Sequence, residues 1–465
     1  MSHPVSLTAP NGVTWSQPTG LFINNEFVPS SNGQTIQSTD PATEEPIVSV
    51  SAATADDIDT AVKAAAKALK SAEWKDLSDA NRGKLLWKLA DLLEENKKLF
   101  ATIDAWSNGK TYAEALAIDM VESVSTLRYY AGWCDKIHGQ TIVLPNKLAY
   151  TLRQPIGVVG QIIPWNYPMN PGQGSWLPPG VVNFVNGYGK EAGGALVEHP
   201  LVDKIAFTGS TTTATHIMAA AAKTLKNITL ETGGKSPLLV FEDADMDQAV
   251  KWSHMGIMSN QGQICTATSR LLVQKSVYAD FVAQFIDRVK AVSVTGSQWA
   301  EGVYQGPQVS KAQKERVLSY IQAGKDAGAT VALGGGVPAH LPKGYYVEAT
   351  VFTDVTPDMA IFKEEIFGPV VVIMPFETEE EAIKLANSTS YGLGAAVFTT
   401  NLERSHRVAA DIETGMVWIN STQDCDPHVP FGGVKQSGIG RELGEAGLEA
   451  YTQIKSVHIN MGTRF

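Results

Sequence analysis

Three side chains in this sequence stand where covalent chemistry could be done. Cys265, in NQGQICTATSR, has small and amide-bearing neighbours that leave its sulfur approachable, as a nucleophile requires. The alternative is a buried, inert cysteine, and no adjacent His offers a Cys–His pair. Glu231, in LETGGKSP, ends an apolar strand ahead of two glycines. Desolvation there would raise its pKa toward the range a general base needs; at a surface turn it would be an ordinary carboxylate. Asn166, in IIPWNYP, lies between prolines that fix its backbone, so its amide reads either as a preset hydrogen-bond donor or as plain turn chemistry.

Weaker signals concern anion and nucleotide binding. FTGST at 207–211 ends a strand in Gly209 and Ser210 at a helix N-terminus, where backbone N–H groups could hold a phosphate; a Ser N-cap explains it equally. Glu364 and Glu365, ahead of Phe367 in KEEIFGPV, are paired acids before an aromatic, or simply a solvated turn. No G-x-x-x-x-G-K-[ST] occurs, since GKT at 109–111 lacks its upstream glycine. No G-x-G-x-x-G follows a strand; Gly438, Gly440 and Gly444 read as loop glycines.

Positioning these groups requires a framework. LFINNEFVP reads as a hairpin around Asn24 and Asn25. Thr54 with Asp57 opens a helix carrying Ile58, Val62, Ala66 and Leu69 on one face. A second helix starts near Ser78 with Leu85, Leu86, Leu89, Leu92 and Leu93 as its buried stripe, and a third spans 119–137. LRQPIGVVGQIIP reads as one strand ending at a proline, and strand and helix signals then alternate to residue 419, with helices at 277–292, 311–326 and 379–387. This alternation predicts an α/β fold with a parallel, doubly wound sheet, in two units joined near 233–265. YTQIKSVHINM alternates like a strand that could pair with another sheet, in this chain or in another subunit.

Composition narrows the rest. At 465 residues the chain should hold two or three domains, and its 44% hydrophobic and 18% charged residues exclude a disordered chain. The net charge of −11, without a run of Lys or Arg longer than two, argues against nucleic acid or an anionic membrane as partner. VVVIMPF is far shorter than the roughly 18 apolar residues of a membrane span. Three widely spaced cysteines (Cys134, Cys265, Cys425) form neither a disulfide framework nor a zinc motif. With an N-terminus unlike a signal or transit peptide, a cytoplasmic protein with reduced thiols is the expectation.

Together, PWNYP, FTGST, LETGGKSP, GQICTATSR, EEIFGPV and PFGGVKQSGIGRE, in this order, resemble the aldehyde dehydrogenase superfamily from about Gly20 onward. GQICTATSR and RELGEAGLEAY are similar to its NAD-using cytosolic or betaine-aldehyde-like branch. The resemblance implies an aldehyde substrate, NAD (with NADP not excluded) as hydride acceptor, and a homodimer or homotetramer. It implies Cys265 as nucleophile, Glu231 as the base that activates water, and Asn166 with the Cys265 backbone N–H as oxyanion donors. Ile162, Ile163, Pro164, Trp165, Gly209, Ser210, Thr232, Gly233, Glu365 and Phe367 match positions that hold the dinucleotide. The implied fold has a Rossmann-like cofactor domain (1–136 and 156–233), a catalytic α/β domain (234–448) and a small oligomerisation extension (137–155 and 449–465). Cys425 lies where the family places a substrate-entrance side chain, close enough in this reading for a disulfide with Cys265 under oxidation.

One departure stands out. Between NYP and PPGVVN only the segment 169–177 remains, where the family carries a helix–strand–helix unit of about thirty residues. That unit includes the lysine and acid that contact the adenosine ribose. Weakened cofactor binding is the expectation. Two other readings follow: an inactive member serving as a subunit or binding protein, and a cysteine esterase that works without cofactor.

Overall fold

The computed structural model describes residues 4–168 and 177–464. The shortened segment at 169–177 therefore falls almost wholly outside the described residues. The hairpin forms as Leu21–Ile23 against Glu26–Val28. Its turn residues Asn24 and Asn25 have φ of 55° and 66°, a left-handed pair that Asn tolerates. Thr54 and Asp57 close a reciprocal capping box on the helix Ala55–Lys70, which buries Ile58, Ala61, Val62 and Ala68.

The helical layer departs from its pattern in two places. The helix Asp79–Glu95 begins where expected, with Ser78 as its N-cap, but Leu93 and Ala90 alone are buried; Leu85, Leu86, Leu89 and Leu92 are half-covered. It packs beside the helix Met120–Ala131 in a small cluster with Ala101, Ala115, Met120 and Val124, too narrow to cover a five-leucine face. The third helix stops at Ala131 rather than running to 137, and a π-turn, Ala115–Asp119, precedes it. The crossing is close: a Cβ on Gly83 would lie 2.8 Å from the Ala131 carbonyl oxygen.

LRQPIGVVGQIIP is two strands, not one. Lys147–Pro155 belongs to a three-stranded antiparallel sheet with Thr141–Leu144 and Thr452–Asn460, while Val159–Ile162 begins a different sheet. Between them Gly157 has φ 126°, and a Cβ there would meet the Asp203 carboxylate at 2.0 Å. Asp203 Oδ2 accepts from the Val158 N–H at 2.8 Å, which secures the corner. The C-terminal strand pairs within its own chain, from Thr452 opposite Pro155 to Asn460 opposite Lys147.

Two further sheets flank the site. In the first, Val159–Ile162, Lys204–Gly209 and Asn227–Thr232 run parallel, and Gly438–Ile439 closes the far edge antiparallel. Its core holds Leu21, Val62, Val158, Ile205, Phe207, Ile217 and Leu230. Among the described residues Val159–Ile162 is an edge strand. The second has seven strands around Pro237–Val240 and Arg270–Gln274, parallel except where Thr330–Leu333 pairs with Thr350–Thr353. Apolar cores cover both its faces, as a parallel sheet requires. Among the described residues no helix is long and apolar enough to cross a membrane.

Candidate active site

The loop bearing Cys265 leaves the helix Met246–Met258 through a strained turn. Asn260, Gln261 and Gly262 follow one another at φ 45°, 56° and 70°. Two non-glycine residues in the left-handed region cost about 1–2 kcal/mol each, so other contacts must hold them. The Asn260 N–H donates to Glu114 Oε1 at 2.9 Å, and Asn260 Nδ2 donates to the carbonyls of Asn166 (3.3 Å) and Gln263 (3.2 Å). Only glycine fits at 262, where a Cβ would lie 2.1 Å from the Gly368 carbonyl oxygen.

Cys265 is half-buried at the end of this loop. Glu231 lies against it, near the end of the strand Asn227–Thr232, 3% exposed and with Oε1 unpaired. Burial pushes the Glu231 carboxyl up to about 8; contact with the Cys265 thiol opposes this, and the charges of Glu442 and Glu365 add to it. Burial also raises the Cys265 thiol well above its ordinary range, and the Glu231 charge raises it further.

Asn166 is buried and reaches the same loop, Nδ2 donating to the Gln263 carbonyl at 3.1 Å. A side-chain amide carries two hydrogens, so one remains for a second acceptor. Sheet register ties the neighbouring signals to this pair. Thr208 stands opposite Glu231 and Gly209 opposite Thr232, placing the FTGST turn one strand from the buried carboxyl. Ser210 is the N-cap of the helix Thr211–Ala221, its Oγ accepting from the Thr213 N–H at 3.2 Å.

The paired acids separate. Glu364 is exposed and accepts from the Tyr320 hydroxyl at 2.7 Å, whereas Glu365 Oε1 accepts from the Gly234 N–H at 2.9 Å. Burial pushes Glu365 up to about 7. Gly233 forms a cradle beneath it, since a Cβ there would lie 2.2 Å from Glu365 Oε2. Phe367, at φ 63°, sets its ring edge-on to Trp165, with centroids 5.4 Å apart. Trp165 and Ile163 are exposed, while Ile162 and Pro164 are half-buried. Thr232 Oγ1 donates to the Gln436 carbonyl at 2.6 Å.

Glu365, whose charge reaches the Cys265 thiol, and the Trp165–Phe367 ring pair offer groups suited to one end of a dinucleotide. At the other end the described sheet stops at Val159–Ile162. Among the described residues no group of three or more His, Cys, Asp or Glu could hold a metal.

Several participants carried no signal in the sequence. Gln313 Nε2 donates to the Phe367 carbonyl at 2.6 Å, and Arg316 Nη2 donates to that of Glu365 at 2.7 Å. Their i,i+3 spacing on the helix Lys311–Asp326 is the only hint of a shared target. Glu442 lies within the quoted GRE motif; burial raises its carboxyl while the Lys204 charge opposes the shift.

Comparison with known proteins gives one consistent result. A sequence profile described as the aldehyde dehydrogenase family matches residues 27–176 and 173–457. An aldehyde dehydrogenase of Aspergillus niger is 47% identical over 492 residues, covering 98% of each chain. Aldehyde dehydrogenase 1A1 of Mesocricetus auratus is 43% identical over 502 residues, covering all of both chains. Among solved structures, an NAD+ complex of a Bacillus cereus aldehyde dehydrogenase aligns with a TM-score of 0.92 at 46% identity, covering 96% of this chain and 97% of that one. A Staphylococcus aureus betaine aldehyde dehydrogenase in complex with NAD+ aligns with a TM-score of 0.92 at 36% identity, covering 96% of each chain. The profile match breaks at 173–176, inside the shortened segment. The 492 aligned positions also exceed the chain's 465 residues, so positions of the Aspergillus protein lack a counterpart here.

Proposed function

The chain belongs to the aldehyde dehydrogenase family, and on that premise we propose that it oxidises an aldehyde to a carboxylic acid at Cys265, with NAD as hydride acceptor. The observation that carries this is the desolvated Glu231 carboxyl set against the Cys265 thiol, on a loop that Asn166 helps to fix. Cys265 Sγ, once deprotonated, adds to the carbonyl carbon, and the carbonyl π pair moves onto oxygen. The Asn166 amide and the Cys265 backbone N–H stabilise that oxyanion. NAD, when bound, supplies the acceptor for hydride; Glu365 and Phe367 would hold its nicotinamide ribose and ring, and Ile162, Ile163, Pro164, Trp165, Gly209, Ser210, Thr232 and Gly233 would line the dinucleotide. Glu231 then takes a proton from the water that attacks the acyl carbon, and the C–S bond breaks to return Cys265 and release the acid. Aldehyde-dependent NADH formation tests the reading: Cys265→Ser should abolish it, and retained turnover would overturn it.

A second reading rests on the edge position of Val159–Ile162 and the break in the profile match. On this reading NAD is held weakly, because Val159–Ile162 is an edge strand among the described residues, and the Cys265–Glu231–Asn166 set acts as an esterase without cofactor. Hydrolysis of p-nitrophenyl acetate with no NAD present, together with absent aldehyde oxidation, would favour it. Loss of both activities would leave a non-catalytic subunit. The three free thiols suit a reducing compartment such as the cytoplasm. The cofactor, catalytic and oligomerisation divisions are taken as 1–136 with 156–233, 234–448, and 137–155 with 449–465. The last presents exposed Ile142, Val143, Leu144 and Ile454 for self-association as a homodimer or homotetramer, which light scattering would test.

A further inference from the structure

Between the helix Lys97–Asn108 and the turn Tyr112–Glu114 runs a buried segment that touches both halves of the site. Gly109, at φ 92°, ends the helix; a Cβ there would lie 2.6 Å from the Pro307 carbonyl oxygen, so the segment is wedged against its neighbour. Asn108, 2% exposed, donates through Nδ2 to the Trp165 carbonyl at 2.7 Å. Lys110, fully buried, places its ammonium 4.2 Å from the centroid of the Tyr167 ring. Asn108 and Lys110 therefore grip the residues on either side of Asn166. Glu114 accepts from the backbone N–H of Asn260, the first residue of the strained turn leading to Cys265.

A buried ionic cluster anchors the grip. Lys110 pairs with Asp119 and, at 3.5 Å, with Asp104, both almost fully buried. Burial raises the carboxyls of Asp104 and Glu114 to about 7 each, so desolvation of these acids is a standing cost of the arrangement. Removing one partner of such a cluster is destabilising, which ties the cluster to the geometry it holds. The Trp165–Tyr167 stretch follows the strand Val159–Ile162 of one sheet, while the Cys265 loop precedes the strand Arg270–Gln274 of the other. Nothing in either sheet alone sets the distance between the Asn166 amide and the Cys265 sulfur.

We propose that residues 108–114 form a positioning clamp, in which Asn108 and Lys110 hold the Asn166 segment and Glu114 holds the Cys265 loop, fixing the oxyanion donor relative to the nucleophile. The inference rests on the roles proposed above for Asn166 and Cys265. Asn108, Lys110 and Glu114 are positioning residues, acting through the two backbones. A displacement of about 1 Å at such a site costs on the order of a hundredfold in rate, so modest loosening should be visible.

The test compares Glu114→Ala, Glu114→Gln and Asn108→Ala with the parent chain in three assays. These are kcat and KM for aldehyde oxidation, acylation by p-nitrophenyl acetate without NAD, and the rate of Cys265 alkylation by iodoacetamide. Glu114→Ala should lower kcat and acylation by about ten- to a hundredfold with KM changed less than about twofold, and should shift the alkylation rate by about threefold or more. Glu114→Gln keeps an acceptor for the Asn260 N–H and should restore kcat to within about threefold of the parent. Asn108→Ala should lower kcat and acylation about tenfold while shifting alkylation less than Glu114→Ala does, because it reaches the Cys265 loop only through the Asn166 hydrogen bonds. Parental kcat and acylation in both alanine variants would overturn the clamp. So would a Glu114→Gln protein that melts like the parent yet loses kcat as Glu114→Ala does. If Glu114→Ala does not fold, Asn108→Ala decides by the same criteria. If the parent oxidises no aldehyde, the functional reading fails, while acylation and alkylation still decide the clamp.

Discussion

Replacing Glu231 by glutamine should make this protein more stable at high pH while disabling it. Burial holds the Glu231 carboxyl at about 8 against a usual value of 4.5. A carboxyl whose pKa is raised by folding binds more protons folded than unfolded between those two values. Folding stability therefore falls as pH rises from about 4.5 to about 8, and the loss is complete above that range. At 1.36 kcal/mol per unit this amounts to about 5 kcal/mol. For a chain of this size unfolding as a whole, the difference corresponds to a melting shift of about 5 °C. Glu231→Gln removes the penalty, so the two proteins should melt together near pH 5 and separate progressively to pH 9, with the variant higher. The same carboxyl is ionised in roughly one molecule in ten at pH 7 and nine in ten at pH 9, so the parent's turnover should rise about tenfold over that interval. The variant should lose about a hundredfold or more of its steady-state rate while keeping a first-turnover burst of NADH, because acylation precedes the step that needs the base. Melting curves across pH and stopped-flow NADH traces measure both halves. Identical pH slopes for the melting of parent and variant would refute the reasoning, whatever the kinetics show.

Other outcomes follow from the same geometry. Gly262→Ala places a Cβ 2.1 Å from the Gly368 carbonyl oxygen at a left-handed position and should cost about 3 kcal/mol or more, read as a fall in melting temperature. Isothermal titration should find NAD binding weaker than micromolar, because Val159–Ile162 is an edge strand among the described residues; ordinary micromolar affinity would contradict that expectation. Cys425 is exposed, and its charge reaches the Cys265 thiol, so the two sulfurs are near one another. A disulfide between them under oxidation predicts that Cys425→Ser is protected from peroxide, and loss of activity at the parental rate would refute it.

What could be read from the sequence was chiefly what local chemistry fixes. The turn at Asn24 and Asn25, the Thr54–Asp57 box and the helix start near Ser78 depend on residues three or four apart, and each appears as expected. The place of Glu231 near a strand end was also legible, from an apolar run leading into two glycines, but its burial was left open against a surface turn. The division of Glu364 from Glu365 was not, because it depends on which of two adjacent side chains faces Gly234 from another part of the chain. For the same reason Glu114 gave no sign of its bond to Asn260, 146 residues away. The leucine stripe of Asp79–Glu95 misled because amphipathic spacing reports a face that can be buried, not whether a neighbour is wide enough to bury it.

The most direct test of the proposed chemistry traps the covalent species. Glu231→Gln protein is mixed with an aldehyde and NAD, quenched in acid during the burst, digested, and its peptides weighed. The account predicts an acyl increment on the peptide containing Cys265, absent from a Cys265→Ser control and from samples lacking NAD. NADH formation with that peptide unmodified, or with the increment on another residue, would contradict it.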